Sequence, residues 1–182
     1  WDDLLAKVEQ SILLLPGSWQ TNLLFPWLPS IADMNHRLRL AKTLLAANPE
    51  VSMDRRLRSL VVNALLTQGK QAQAYREARL FVKLHKGSGN AWQALATAAD
   101  AHGRPAEAYK AWQQIGQSAE PEQDIWWESM LSRIKLQAKA AEFTTACRLL
   151  HTTGKMEKLL PPVYQDEYQS ILENDWCEPN QP

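Results

Sequence analysis

Apolar residues recur at intervals of three and four positions along most of this 182-residue chain. This spacing places them on one side of an α-helix, because a helix has 3.6 residues per turn. Glycine and proline interrupt the pattern at Pro16–Gly17, at Asn48–Pro49, and at Gly69, Gly103 and Gly154. The sequence therefore predicts an all-α protein of amphipathic helices joined by short turns.

Two segments in the centre of the chain repeat each other with a period of 34 residues. Three pairs of residues show this separation: Gly69 and Gly103, Ala74 and Ala108, and Tyr75 and Tyr109. Each copy consists of an apolar helix, a glycine turn and a second helix with a small residue, Ala74 or Ala108, where the two helices cross. Such hairpins leave an apolar face that only a neighbouring hairpin can cover. The period therefore predicts a solenoid of stacked helical hairpins.

The second copy resembles the tetratricopeptide repeat. That family has a 34-residue period and a pattern of Trp, then Leu and a small residue, then an aromatic residue, Ala, a second aromatic residue and a late Pro. The positions that carry the resemblance are Trp92, Leu95, Ala96, Gly103, Ala108, Trp112 and Pro121. The chain departs from the pattern at Ala99, where the family usually has Tyr, and at Ala78, which replaces the second aromatic residue of the preceding copy. The resemblance implies an all-α, right-handed superhelical solenoid of antiparallel helix-turn-helix repeats.

We predict one tetratricopeptide-like helical repeat domain over residues 1–175. Its clearest repeats are 56–88, 90–120 and 122–153, with degenerate hairpins over 2–49 and a capping helix over 163–174. The third repeat carries four extra residues, because Ala146 follows Ala108 by 38 positions rather than 34. The tail, residues 176–182, ends in a run without apolar side chains and is predicted to be disordered.

The charge of the chain is balanced overall but uneven along its length. Twenty basic and twenty acidic side chains cancel, so no bulk charge indicates a nucleic-acid or membrane partner. Residues 1–90 carry 12 basic and 7 acidic side chains, whereas residues 91–182 carry 8 and 13, so the two halves differ from neutrality by +5 and −5. This pattern has two interpretations, a charge-polarised solenoid or chance clustering on solvated faces.

The chain offers no motif for catalysis, metal binding or cofactor binding. Its histidines lack the spacing of a zinc helix, and no glycine-rich phosphate loop is present. Cys147 and His151 are four residues apart, so a helix would place them on one face, where the imidazole could activate a thiolate. The simpler interpretation is a small core residue and a histidine near a helix C-terminus. We therefore predict a non-enzymatic protein with no catalytic residue, metal or cofactor.

Most of the eight tryptophans have a structural explanation. Trp92 and Trp112 occupy core positions of the family pattern. Only one of Trp126 and Trp127 can point fully into its hairpin, because adjacent helix residues are separated by about 100°. The outward member is predicted to contact a partner or, alternatively, to pack between repeats.

Tetratricopeptide proteins bind ligands in a groove lined by the first helix of each repeat. The resemblance places polar residues of two such helices on this face: Arg56, Ser59 and Asn63 in the first, and Asn90, Gln93, Thr97 and Asp100 in the second. With Trp126 and Trp127 they form the predicted partner-binding groove. Asn63 lies where chaperone-binding relatives carry one asparagine of a carboxylate clamp. Because Ser59 and Ala94 replace the lysine and second asparagine of that clamp, we do not expect one here.

The predicted function is a non-catalytic protein–protein interaction scaffold that binds a partner protein or an extended peptide. No nucleic acid and no membrane insertion are expected, since no apolar run approaches the ~20 residues that span a bilayer. One alternative is the helical, non-catalytic domain of a larger enzyme, such as a cell-wall lytic enzyme or a transferase. Another is an RNA-binding helical repeat of the pentatricopeptide class, which the 34-residue spacing and the zero net charge disfavour.

The sequence does not indicate the cellular compartment of the protein. Cys147 and Cys177 neither require nor exclude an oxidising environment. The chain begins at Trp1 rather than Met, so we expect it to belong to a larger polypeptide or complex, and a targeting segment could have been removed.

Overall fold

The computed structural model describes residues 33–47 and 54–173, together with Cys177 and a few positions between 7 and 19. The α-helices within 33–47 and 54–173 are α1 Met34–Ala47, α2 Arg55–Thr67, α3 Gln71–Leu84, α4 Gly89–Ala101, α5 Pro105–Ser118, α6 Asp124–Lys139, α7 Phe143–Gly154 and α8 Gln165–Leu172. Two 3₁₀ turns, Glu157–Leu159 and Pro162–Tyr164, join α7 to α8. Every regular element in these ranges is helical, which confirms the all-α prediction.

Parts of the predicted architecture lie outside the described residues. Of the hairpins predicted over 2–49, the structure describes α1 and scattered positions before it. The backbone N–H of Asn35 donates to the Asp33 carboxylate at 2.9 Å, so Asp33 caps α1. The predicted tail 176–182 is described at Cys177 alone.

The turns that end α2 and α4 each contain a glycine in the left-handed conformation. At the end of α2, Lys70 N–H donates to the Leu65 carbonyl and Gly69 N–H to the Leu66 carbonyl, both at 2.9 Å. This is a Schellman motif, which requires a left-handed residue after the helix. Gly69 supplies it with φ +68°, and Gly103 after α4 has φ +74°. Glycine is favoured at both positions because it has no Cβ to clash in that conformation.

The turn between α6 and α7 forms the same motif without glycine. Glu142 N–H donates to the Gln137 carbonyl at 2.9 Å, and Ala141 N–H donates to the Ala138 carbonyl at 3.0 Å. Ala141 accordingly has φ 60°, the left-handed conformation that an alanine adopts at a cost. A buried alanine follows the left-handed residue by five positions in all three turns, namely Ala74, Ala108 and Ala146. Ala141 therefore takes the place that Gly69 and Gly103 have in the other two turns.

Backbone contacts divide the chain into two compact units, Trp1–His102 and Gly103–Pro182. In the first unit, α2 and α3 form a helical hairpin connected by the Gly69 turn. The next helix, α4, packs against both α2 and α3. On the other side, α1 packs against α2. The buried side chains of this unit include Leu44, Leu57, Val62, Leu65 and Phe81. Apolar faces at helical spacing therefore meet between consecutive helices, as the sequence pattern predicts.

In the second unit, α6 packs against α5 on one side and α7 on the other, and α8 also contacts α6. One apolar cluster joins α6, α7 and α8 through the side chains of Leu131, Ile134, Ala146, Leu150, Tyr168 and Ile171. The helix α8 corresponds to the predicted capping helix 163–174 and contributes Tyr168 and Ile171 to this cluster. A disulfide bond between Cys147 on α7 and Cys177 closes the C-terminal segment onto the same unit. The predicted single domain 1–175 and its superhelical form stay predictions.

Candidate binding surfaces

The polar residues predicted to line a groove lie on α2 and α4 of the first unit. These helices pack against each other, so the structure brings the two rows onto neighbouring elements. Arg56, Asn63, Asn90 and Thr97 are exposed, whereas Ser59, Gln93 and Asp100 are half-buried. Each row follows one side of its helix, because its members are separated by three, four or seven positions. The rows therefore present hydrogen-bonding side chains on two adjacent helices.

Arg56 has a structural role at the start of α2. Its guanidinium lies 3.1 Å from the Asp54 carboxylate, and its backbone N–H donates to the same carboxylate at 2.8 Å. Leu57 N–H donates there as well, at 3.1 Å, so Asp54 is the N-cap of the helix. Partial burial raises the pKa of Asp54, but the hydrogen bonds from Arg56 and Leu57 outweigh burial and hold this pKa below its usual value. Arg56 is thus committed in part to capping.

Of the two roles left open for the outward member of Trp126 and Trp127, the structure fits packing, because neither side chain is exposed. Trp126 is 9% exposed and Trp127 is fully buried. Their rings meet edge to face with centroids 5.0 Å apart, and Trp127 also lies edge to face with Tyr168 at 6.4 Å. Leu149, Leu160 and Tyr164 pack against the pair. The sequence did not show which segment packs there: Leu160 and Tyr164 belong to the connection after α7 rather than to a neighbouring repeat.

The candidate thiolate is also excluded. Cys147 is bonded to Cys177, so its sulfur is not a free nucleophile, and His151 is exposed. The pairing joins positions 30 residues apart that carry no spacing signal in the sequence. No group of three His, Cys, Asp or Glu side chains in the described ranges is placed to hold a metal ion.

A row of basic side chains on α3 has no counterpart among the sequence predictions. Arg76, Arg79 and Lys83 are exposed on one side of the helix, and the exposed Lys86 lies in the turn that follows it. The intervals of three, four and three residues between them are the signal that would have found this row. The charge of this row can be read from the sequence. The structure shows that the opposite side of α3 is buried.

Comparison with protein-family models gives no match, and comparison with curated proteins gives none either. None of the helices in the described part of the chain is both long enough and apolar enough to span a membrane.

Proposed function

We propose that this protein is a non-catalytic interaction module of tetratricopeptide-like helical repeats, which binds an extended segment of a partner protein along the polar faces of α2 and α4. The observation that carries the proposal is the equivalence of three helices, α2, α4 and α6, at their buried positions.

The fourth, seventh and eighth residues of these helices correspond in all three cases. They are Arg58, Val61 and Val62 in α2, Trp92, Leu95 and Ala96 in α4, and Trp127, Met130 and Leu131 in α6. Eight of the nine side chains are buried, and Trp92 is half-buried. This correspondence holds although α6 has 16 residues and α2 and α4 have 13. It supports a common repeat that starts at the N-terminus of each helix.

The two tryptophans at the fourth position make the same hydrogen bond. The indole N–H of Trp92 donates to the Lys86 carbonyl at 2.7 Å, and that of Trp127 donates to the Pro121 carbonyl at 2.8 Å. Each acceptor lies six residues before its tryptophan, so each bond fixes the loop that leads into the helix. In α2 the fourth residue is Arg58, which is 7% exposed. Burial lowers the pKa of its guanidinium, and the nearby Glu77 carboxylate acts in the opposite direction.

The packing of α4 against both helices of the preceding hairpin also supports the proposal. In a helical repeat array each new first helix covers the hairpin before it, which leaves the first helices side by side. Here this arrangement puts α2 and α4 next to each other with their amide and hydroxyl side chains exposed. Amides donate and accept hydrogen bonds, as an extended peptide backbone requires. The proposed ligand is therefore an extended peptide segment read mainly through hydrogen bonds.

Selection of random displayed peptides on the full chain tests this proposal. Peptides that are selected should bind the wild type, and binding should weaken at least tenfold in the variant Asn63→Ala/Asn90→Ala. Both residues are exposed, so we expect the free energy of unfolding to change by no more than about 0.5 kcal/mol per site. Gln73→Ala, an exposed amide on α3, is the matched control and should bind as the wild type does. Equal affinity of both variants for the selected peptides would contradict the proposal.

A further inference from the structure

We propose that the exposed side of α3 is a second interaction surface, which binds an acidic segment of another protein through charge and one apolar contact. The surface consists of Arg76, Arg79, Lys83 and Lys86 with Leu80 among them; we call it the basic stripe. It is separate from the polar faces of α2 and α4 and does not depend on their function.

The helix α3 is divided sharply into two sides. Its buried side holds Ala74, Tyr75, Ala78 and Phe81, which pack toward α2 and α4. The basic stripe lies at positions i, i+3, i+7 and i+10, and all four cations are exposed. The first three of these positions share one side of α3, because successive helix residues turn by 100°. Lys86 follows the end of the helix, and its backbone is fixed because its carbonyl accepts the indole N–H of Trp92.

Within residues 33–47 and 54–102, acidic side chains do not compensate the positive charge of the basic stripe. Residues 33–47 and 54–102 contain 11 Lys and Arg side chains but 4 Asp and Glu. Three of those acids have basic partners elsewhere: Asp33 lies 2.7 Å from His36, Asp54 lies 3.1 Å from Arg56, and Glu77 interacts with Arg58. Within the part of the chain that the structure describes, no ion pair involves the basic stripe. The guanidinium carbon of Arg79 lies 5.8 Å from the centroid of the Tyr75 ring.

Ordinary helix stabilisation does not account for this pattern. A cation in the last turn is favoured by the helix dipole, which explains Lys83. Arg76 and Arg79 lie earlier in the helix, and like charges three or four residues apart repel each other. Clustered cations without acids are typical of surfaces that meet a partner of opposite charge, where they also increase the rate of association.

Leu80 distinguishes a protein partner from a nucleic acid. It is 42% exposed and lies between Arg76 and Lys83 on the same side of α3. A phosphate backbone is recognised by charge and hydrogen bonds and offers little to an isolated leucine. An acidic protein segment with an apolar side chain satisfies both the cations and Leu80. We therefore commit to a protein segment as the occupant.

The spacing of the cations limits the sequence of that segment. At 1.5 Å per residue, Arg76, Arg79 and Lys83 are separated by roughly 4.5 and 6 Å along α3. Acidic residues two apart in an extended chain lie roughly 6.6 Å from each other on the same side. Acids three or four apart on a helix have a similar separation. The segment should thus carry acids at one of these two spacings, with its apolar residue between them.

Titration with labelled synthetic peptides tests the proposal on the full chain. The probe is a twelve-residue peptide with alternating glutamates and one central leucine, and its reference is the same peptide with glutamine for each glutamate. We expect the acidic peptide to bind at low salt, to weaken as salt is added, and to bind at least tenfold more tightly than the glutamine peptide. Failure of the acidic peptide to bind at low salt, or equal binding of the two peptides, would overturn the proposal.

Three variants locate the binding to the basic stripe. Arg76→Glu/Lys83→Glu should lose at least tenfold in affinity, whereas Lys110→Glu, an exposed lysine of α5, should lose less than threefold. Leu80→Ser should weaken the acidic peptide about fivefold without changing the salt dependence. Circular dichroism checks that each variant is folded. Equal losses in the α3 and Lys110 variants would place the binding elsewhere.

A single-stranded oligothymidine of fifteen nucleotides tests whether the basic stripe binds nucleic acid instead of a protein segment. Tighter binding of the oligonucleotide than of the acidic peptide, unaffected by Leu80→Ser, would overturn the assignment to a protein partner. The variant Asn63→Ala/Asn90→Ala should bind the acidic peptide as the wild type does. The proposal for the basic stripe is therefore tested independently of whether the polar faces of α2 and α4 bind peptides.

Discussion

Gly116 on α5 lies so close to Ser129 on α6 that a methyl group at position 116 would come within 2.8 Å of the Ser129 hydroxyl oxygen. Ser129 is fully buried, and its hydroxyl donates to the Trp126 carbonyl at 2.8 Å, so it cannot easily move aside. The absence of a side chain at Gly116 therefore permits the close approach of these two helices in the second unit.

Replacing Gly116 by alanine should destabilise the protein despite the better helix propensity of alanine. We expect the free energy of unfolding to fall by about 1–3 kcal/mol, the usual cost of overpacking. The Ser129 Cβ would lie 3.9 Å from the new methyl group, an ordinary contact, so Ser129→Ala should restore the space. In chemical denaturation, Gly116→Ala/Ser129→Ala should be at least as stable as Ser129→Ala alone. Simple addition of the two single effects would contradict this account.

Ala141 and Gly69 both have the left-handed backbone conformation, so exchanging alanine and glycine should change the stability in opposite directions at the two positions. Ala141→Gly should stabilise the protein by about 0.5–1 kcal/mol, because glycine adopts φ 60° without the cost that alanine bears. Gly69→Ala should destabilise it by about 1 kcal/mol. No atom lies within 4 Å of a Cβ built at Gly69, so this cost comes from the backbone alone. Thermal melts of both variants check the prediction, and a loss of stability in Ala141→Gly would refute it.

Removal of the disulfide should destabilise the second unit. Cys147→Ser/Cys177→Ser opens a link between residues 30 positions apart, for which chain entropy predicts a loss of about 3–4 kcal/mol. A dithiol reductant should lower the melting temperature of the wild type and leave that of the double variant unchanged. His151→Ala, an exposed position on α7, should respond to the reductant as the wild type does. Equal melting temperatures of the wild type with and without reductant would count against a structural role of the bond.

Tyr168 should make the protein sensitive to alkaline pH. Burial, with a smaller contribution from Glu157, raises the pKa of its hydroxyl above the ordinary value of 10.0. The folded state therefore holds this proton more tightly than the unfolded state does. The corresponding stability is complete below pH 10 and is lost as the pH rises through the folded-state pKa.

Denaturation at a series of pH values, with Tyr168→Phe for comparison, measures this effect. The variant should lose less stability than the wild type above pH 10, because phenylalanine has no proton to release. Part of the dependence should remain, since burial and neighbouring carboxylates also raise the pKa of Tyr164. Parallel curves for the two proteins would show that Tyr168 does not contribute.

The sequence predicted the helical class and the position of two turns because both depend on local signals. Apolar spacing indicated amphipathic helices, and Gly69 and Gly103 marked two turns because their backbone conformation favours glycine. The turn at Ala141 has no such residue and could be placed only through Ala146. The second repeat was predicted to begin at residue 90, whereas its first helix begins at Gly89 with Ser88 as N-cap, because local signals do not fix a helix boundary to within one or two residues.

Tertiary structure decided the features that depend on residues far apart in the chain. The burial of both Trp126 and Trp127 depends on the segment after α7, and the Cys147–Cys177 bond depends on the position of the residues that follow α8. Gly116 is unremarkable in the sequence, and only the position of Ser129 explains it. Periodicity shows which side of a helix is apolar, but it does not show what covers the remaining sides. The sequence by itself therefore determined the helices and their inward faces, while packing decided which of the other side chains stay exposed to meet a partner.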